Sequence, residues 1–318
     1  MNKVLESTKY VVDNAKNVKI NEAKVREFAS SFDHKNVQHW LNEAPIDFSH
    51  MSEEEKLNFL LVFNSMSFRY WGEPKWAVEY KGKEYDGSWA MVVCIRRAMD
   101  EGKPILDAHY RANLNRDDFA DILQGNVEIP LLDERLSITK KVASTLLQKY
   151  DGNLEQLIEL AGKDALKLLN LIIENFPSFD DKTTYQGEDI FFYKRAQLLV
   201  ADIYQIFNGE GYGELNNVDA LTACADYKLP QILRGNGILE YSAELAKKID
   251  AQIPIGKDSD EEIEIRASTI WAIEKIKEAL QGQGKHNSSF EINNHIWLLS
   301  QNKSHGFSPY HHTETSAY

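Results

Sequence analysis

Apolar residues recur along most of this chain at the three-to-four spacing of a single helical face. Residues 1–30 read as polar helix, with Val4, Tyr10, Val11 and Val12, then Val18, Ile20, Val25 and Phe28, on one face at a time. Trp40 and Pro45 mark a loop. A helix begins at about Ser52, where Ser52 and Glu55 form a capping box and Leu57, Leu60 and Leu61 supply the buried face. The stretch from Trp76 to Tyr80 alternates and then turns at Lys81-Gly82-Lys83, which predicts a β-hairpin. A helix from about Ser88 to Glu101 follows, closed by Gly102 and Pro104. Helices are then predicted at about 116–124, 132–149, 153–160 and 163–175. A short strand at Asp189 to Phe192 leads into a strongly periodic helix from Arg195 to Phe207. Gly209, Gly211 and Gly213 form a loop whose spacing is not that of a dinucleotide fingerprint. Beyond it, helices are expected from about Val218, after Pro230, and at about 241–249, 260–281 and 290–301. The pattern is that of a mainly α protein with a small β-hairpin. No repeat or long Pro/Ser/Gly linker interrupts it, so residues 1–318 are expected to form one domain.

Composition narrows the function classes. Of 318 residues, 43% are hydrophobic and 11% aromatic, enough for a sizeable core without disulfide or metal staples. The 49 acidic residues outnumber 36 basic ones, giving a net charge of −13. A nucleic-acid backbone calls for clustered lysine and arginine, and no long basic run is present. A polymer partner is therefore disfavoured, while a local basic pocket for one phosphate is not. Cys94 and Cys224 are far apart with no CxxC spacing. Met1 to Asn17 contains no apolar leader core, and no apolar run reaches bilayer-spanning length, so a reducing, cytoplasmic setting is expected.

Two residues stand out as candidate chemistry. Asp226 follows an apolar stretch (Val218, Leu221, Cys224) and precedes Lys228-Leu229-Pro230. A carboxylate there is either the N-cap of the next helix or a group held beside a pocket, where it could stabilise a positive sugar ring. Residues Leu229 to Gly237 resemble the second half of a helix-hairpin-helix. Lys194, where Phe191-Phe192-Tyr193 gives way to a helix, is either a solvated lysine with a packed stem or a cation facing an anionic substrate. Trp71, Trp76 and Trp89 suit a core, and Trp71 beside Phe68 and Tyr70 also suits base stacking. His295, His305, His311 and His312 lack metal-ligand spacing, so neither metal nor cofactor is expected. No nucleophile elbow or Ser/His/Asp order is visible.

Ordered segments along the chain carry a resemblance. They include Phe68-Arg69-Tyr70-Trp71, Lys75-Trp76-Ala77-Val78-Glu79-Tyr80-Lys81-Gly82, Arg97-Ala98-Met99-Asp100-Glu101-Gly102-Lys103-Pro104-Ile105 and Glu174-Asn175-Phe176-Pro177-Ser178-Phe179. The densest are Phe192 to Asp202 and Ala225 to Leu233, with Glu264-Ile265-Arg266 and Tyr318 beyond them. Together they resemble the queuosine-salvage proteins. The resemblance implies a helical fold like that of helix-hairpin-helix DNA glycosylases and hydrolysis of queuosine 5′-phosphate to queuine and ribose phosphate. It implies a monomer acting on a small nucleotide, with no nucleic-acid polymer, membrane or cofactor. It puts Asp226 on the catalytic aspartate and Lys194 on a lysine of the same site, and it extends substrate binding to Ala44, Trp71, Cys224, Tyr227, Asn293, Asn294 and Leu298.

Departures from the family pattern cluster around base recognition. Cys224 stands where the family tends to have Phe, and Ala44 where it has His. The family's Asp-Tyr-x-x-Trp-Asp reads Asn293-Asn294-His295-Ile296-Trp297-Leu298. Asn64 and Ser67 replace an Asp and an Asn, and His312 and Glu314 replace Arg. Two lost carboxylates remove partners for a cationic base, so weaker turnover of queuosine 5′-phosphate is expected than in typical members. A paralogue cleaving another base, or a catalytically idle nucleotide binder, is the alternative.

Overall fold

In a computed structural model, which describes residues 2–302 and 308–318, the chain is mainly helical with three two-stranded antiparallel sheets among those residues. Helix Glu53–Met66 starts at the expected capping box. Glu55 N donates to Ser52 Oγ at 3.1 Å, and Ser52 N donates to Glu55 Oε2 at 2.8 Å. From Leu57 onward every residue of this helix is buried, so it runs through the interior. The hairpin of Ala77–Tyr80 and Lys83–Asp86 closes on Lys81 (φ 50°) and Gly82 (φ 75°), two left-handed residues whose twist suits a two-residue turn. It feeds helix Gly87–Asp100.

Three expectations need correction. The first thirty residues form two helices, Lys3–Asn14 and Glu22–Ser31, parted by strand Val18–Ile20, which pairs with Leu239–Tyr241. The helix expected from about 241 accordingly begins at Ala243, capped by Ser242. Two three-residue strands more than two hundred positions apart show no period of their own beside neighbouring helices. Second, strand Glu188–Phe191 has a partner, Lys182–Tyr185, joined through Gln186 and Gly187. Third, no α-helix begins at Val218. Val218–Ala220 is a single 3₁₀ turn after Asn217 (φ 61°), and Leu221 to Tyr227 is irregular. Its backbone is held by side chains from elsewhere: Thr222 N donates to Gln197 Oε1 at 2.8 Å and Cys224 N to Asn293 Oδ1 at 2.9 Å. The apolar content that mimics a helical face reflects a chain threaded through the interior.

Two apolar cores result. The larger gathers Phe59, Phe63, Trp76, Leu199 and Ala225; the smaller gathers Val25, Leu229, Leu233, Leu239 and Ile292. Helix Asp260–Gln281 serves both, giving Ile263 and Ile270 to the first and Ile265 and Ile273 to the second. Trp297, on helix Ser289–Gln301, packs against both. The irregular segment carrying Asp226 lies where they meet, since Cys224 belongs to one core and Leu229 to the other. None of the helices described is long and apolar enough to cross a membrane.

Candidate active site

At this seam two chambers adjoin, sharing Ser67, Ser88, Lys194, Asp226 and Trp297. The inner one, about 430 Å³, is walled by Trp40, Phe63, Leu198, Leu229 and Trp297, with Cys224, Asn293 and Asn294 as its other polar lining. The outer one, about 740 Å³, is polar and takes in Lys75, Asp86, Tyr227, Lys228, Tyr310 and Tyr318.

Asp226 occupies the junction with 9% exposure. Its Oδ1 accepts from Lys228 N at 2.7 Å and Leu229 N at 3.0 Å, so it caps helix Lys228–Gly235. Both bonds fall on one oxygen. The other, Oδ2, accepts no hydrogen bond among the described residues. The cap and the site are thus one arrangement: capping fixes the rotamer and leaves an oxygen for the cavity.

Lys194 is the first residue of helix Lys194–Ile206 and follows Tyr193, held left-handed at φ 51°. It is 6% exposed, lines both chambers, and has no carboxylate within ion-pair distance among the described residues. Leu198, one helical turn on, lines the inner chamber beside it.

The inner chamber's aromatic wall is a tryptophan cluster that the order of the chain does not reveal. Trp40 lies 5.7 Å from Trp89 and 5.8 Å from Trp297, with Phe63 at 5.1 Å, ring centre to ring centre. Asn293 Oδ1 is occupied by the Cys224 amide, leaving its Nδ2 for the chamber. Asn294 donates from Nδ2 to Gln205 at 3.3 Å, and its buried Oδ1 has no partner among the described residues. Burial pushes the Cys224 thiol well up, against the opposing pull of Lys194, so it stays protonated. In the outer chamber burial likewise raises Tyr310 to about 12 and Tyr227 further, so both phenols remain neutral donors. Lys75 pairs with Asp86 at 2.9 Å, and the Lys228 ammonium lies 4.6 Å from the Tyr310 ring centre.

A family model described as queuosine salvage protein matches residues 47–318. The chain belongs to this family. A relative from Sphaerobacter thermophilus, named queuosine 5′-phosphate N-glycosylase/hydrolase, is 40% identical over 99% of this chain and 97% of its own. Relatives with the same name from Mus musculus and Bos taurus are 34% and 32% identical; the matches cover 92% and 98% of this chain, and 91% and 98% of theirs.

Of the residues singled out through the family resemblance, Asp226, Lys194, Cys224, Asn293 and Asn294 come together in the inner chamber and Tyr227 lines the outer one. Ala44, Trp71 and Leu298 line neither. Ala44 ends the 3₁₀ turn Trp40–Glu43. Trp71 stacks on His312 at 4.4 Å, with the Arg69 guanidinium 3.9 Å from its ring centre. Leu298 packs on the larger core. Trp76 is core, with Nε1 donating to Leu123 O at 3.2 Å. Trp40, Ser88, Lys75 and Lys228 are not among the site residues read from the sequence, and Trp297 and Ser67 enter that reading only as parts of the rewritten family pattern. Trp297 carried a signal, one turn beyond Asn293 on the same helix. His305 lies outside the described residues, among which no group of three or more His, Cys, Asp and Glu is arranged to hold a metal.

Proposed function

We propose that this protein hydrolyses the N-glycosidic bond of a 7-deazaguanine nucleoside 5′-monophosphate, releasing the free base and ribose phosphate, with queuosine 5′-phosphate as the first substrate to test. The observation that carries this reading is Asp226 at the junction of an aromatic chamber and a lysine-lined polar one, with one carboxylate oxygen capped and the other open. The base fits the aromatic side and the ribose phosphate the polar side, so the anomeric carbon falls at Asp226.

The bond between C1′ and the base nitrogen breaks with its electron pair leaving on the base. The base takes a proton, and water supplies hydroxide to C1′. Positive charge grows on the sugar ring during cleavage, and the Asp226 carboxylate stabilises it. A 7-deazapurine lacks N7, a purine's usual point of protonation, so stabilisation on the sugar side carries more of the barrier. Lys194 offsets the carboxylate's charge and attracts the anionic substrate. Lys75 and Lys228 are the cations for the 5′-phosphate. Asn293 Nδ2 and Asn294 Oδ1 supply a donor and an acceptor for the oxo and N–H groups of the base edge, between Trp40 and Trp297.

The same reading takes residues 1–318 as one monomeric domain of the helix-hairpin-helix glycosylase type. The support is that both cores converge on one site and that the short helix capped by Asp226 ends in a turn at Gly237 (φ 69°). The net charge of −13 favours a free nucleotide over a polymer. Release of free base from a panel of nucleoside 5′-monophosphates and matching nucleosides tests the reading. Equal turnover of both forms would remove the role given to Lys75 and Lys228.

A further inference from the structure

Lys194 and Asp226 reach the cavity from chain segments with no regular pairing between them. Lys194 follows the hairpin of Lys182–Tyr185 and Glu188–Phe191, and Asp226 ends an irregular stretch. One buried ion pair touches the backbone of both. Arg266, on helix Asp260–Gln281, grips Asp181 with two parallel bonds, Nη1 to Oδ1 at 3.1 Å and Nη2 to Oδ2 at 2.6 Å. The side chains are 3% and 7% exposed. From its remaining face the guanidinium donates Nε to Ala225 O at 3.3 Å, the carbonyl just before Asp226. Asp181 Oδ2 accepts the Lys194 amide at 3.2 Å, and the Asp181 carbonyl accepts Phe192 N and Tyr193 N at 3.0 and 3.1 Å. Arg266 also lies 3.8 Å from the Phe192 ring centre and 4.5 Å from that of Tyr318, which lines the outer chamber.

We infer that Asp181 and Arg266 are positioning residues that set the separation of Lys194 from Asp226, by tying Ala225 and Lys194 to one planar, bidentate pair. The inference rests on the reading of Asp226 and Lys194 as the groups that act on the nucleotide. A planar fork holding a carboxylate on one edge and a carbonyl on another fixes direction as well as distance, which a flexible lysine ammonium cannot reproduce. The backbone needs such a clamp. Tyr193 is left-handed without being glycine, and residues 221–227 have no ladder of their own. The pair lines neither chamber, so it acts through these backbone contacts and not on the substrate.

Arg266→Lys and Asp181→Glu test this. Each keeps opposite charges in the buried site while the fork or its reach changes, and the folded fraction is measured alongside. Each is compared with the parent for kcat and KM on queuosine 5′-phosphate, for affinity for free queuine by titration, and for folded fraction by near-ultraviolet circular dichroism. Misplacing reacting groups by about an ångström costs on the order of 100-fold in rate. Per folded molecule, kcat should fall about 10- to 100-fold, with KM and queuine affinity within about threefold of the parent. A kcat within about threefold, or a loss matched by a parallel loss of queuine affinity or of folded protein, overturns the inference. Asp226→Asn run alongside separates the two claims. If it is inactive while both clamp variants keep their kcat, only the clamp fails; if it is active, the underlying site reading fails.

Discussion

Asp202 accepts the indole N–H of Trp40 at 2.7 Å, with Trp40 at 4% exposure and Asp202 fully enclosed. Asn64 Nδ2 donates to the other carboxylate oxygen at 3.1 Å, and His39 Nε2 lies 3.6 Å from the first. Asp202 is two turns along the helix from Lys194, behind the inner chamber. The wall against which a base would stack is thereby held from behind by a charge-assisted bond.

Truncating that wall should weaken binding more than chemistry. Stacking of a base on an aromatic side chain is worth about 1–3 kcal/mol. Trp40→Ala should therefore raise KM by roughly 5- to 150-fold, with kcat far less affected. Steady-state kinetics on queuosine 5′-phosphate decide it, and an unchanged KM in a folded variant removes Trp40 from the base site.

Asp226 has two separable duties. Asn accepts N–H bonds at an N-cap as well as Asp does, whereas Ala does not, at a cost of about 0.5–2 kcal/mol. Asp226→Asn should keep the parent's resistance to urea, and Asp226→Ala should lose about that amount. Equal stability of the two variants would mean that the Lys228 and Leu229 amides find another acceptor.

Stability should fall on mild acidification. Burial, aided by Arg266 and His312, pushes the His311 imidazole down to about 3 from an ordinary 6.5, and His295 and His312 shift the same way. The unfolded chain therefore binds the extra proton between those values. His311's contribution is complete above about pH 6.5 and is lost as pH falls toward 3, at up to about 1.4 kcal/mol per pH unit. Urea unfolding at pH 7.5, 6.5 and 5.5 should show this slope, and His311→Gln should flatten it. An unchanged slope would assign the effect to other groups.

Among the described residues Asp226 is the carboxylate that lines the inner chamber, and Asn293, also in its lining, is the position at which the family resemblance leads to the expectation of a second Asp. Asn293→Asp keeps an acceptor for the Cys224 amide and adds a counter-charge for queuine's ammonium. A hydrogen bond to a charged group is worth about 1.5–3 kcal/mol, so kcat/KM for queuosine 5′-phosphate should rise roughly 10- to 100-fold. A nucleotide with an uncharged base should gain nothing. The variant also gives up the Nδ2 donor to the base edge, so a fall for queuosine 5′-phosphate would mean that this donor outweighs the added counter-charge.

Much of the helical body was legible because its signals are local. Ser52 and Glu55 announce a helix start that the structure reproduces, and Lys81-Gly82-Lys83 announces a turn, which closes on Lys81 and Gly82 with Lys83 already in the strand. Asp226 was legible as a cap or a site, and it serves the cap while facing the cavity. What escaped depends on distant partners. Val18–Ile20 is a strand only because Leu239–Tyr241 lies beside it. Leu221 to Tyr227 imitates a helical face because a threaded segment is as apolar as a packed one. Trp40 joins Trp89 and Trp297 across some 250 residues, whereas Trp71, near Trp76 in sequence, turns outward onto His312. Leu298 and Ala44 follow from alignment to a family pattern, and side-chain direction on a helix or turn decides whether such positions reach the cavity.

The central claim is that Asp226 drives release of a free base from a nucleoside 5′-monophosphate. Quantifying free queuine formed from queuosine 5′-phosphate by the parent and by Asp226→Asn, with substrate affinity measured in parallel, tests it most directly. Loss of one charge-stabilising group of this kind costs about 100- to 1,000-fold in kcat. The parent should release queuine, and the variant should bind the nucleotide comparably while turning it over slower by that factor. Turnover by Asp226→Asn within a few-fold of the parent, or no release by the parent from any 7-deazaguanine nucleotide, would contradict the account.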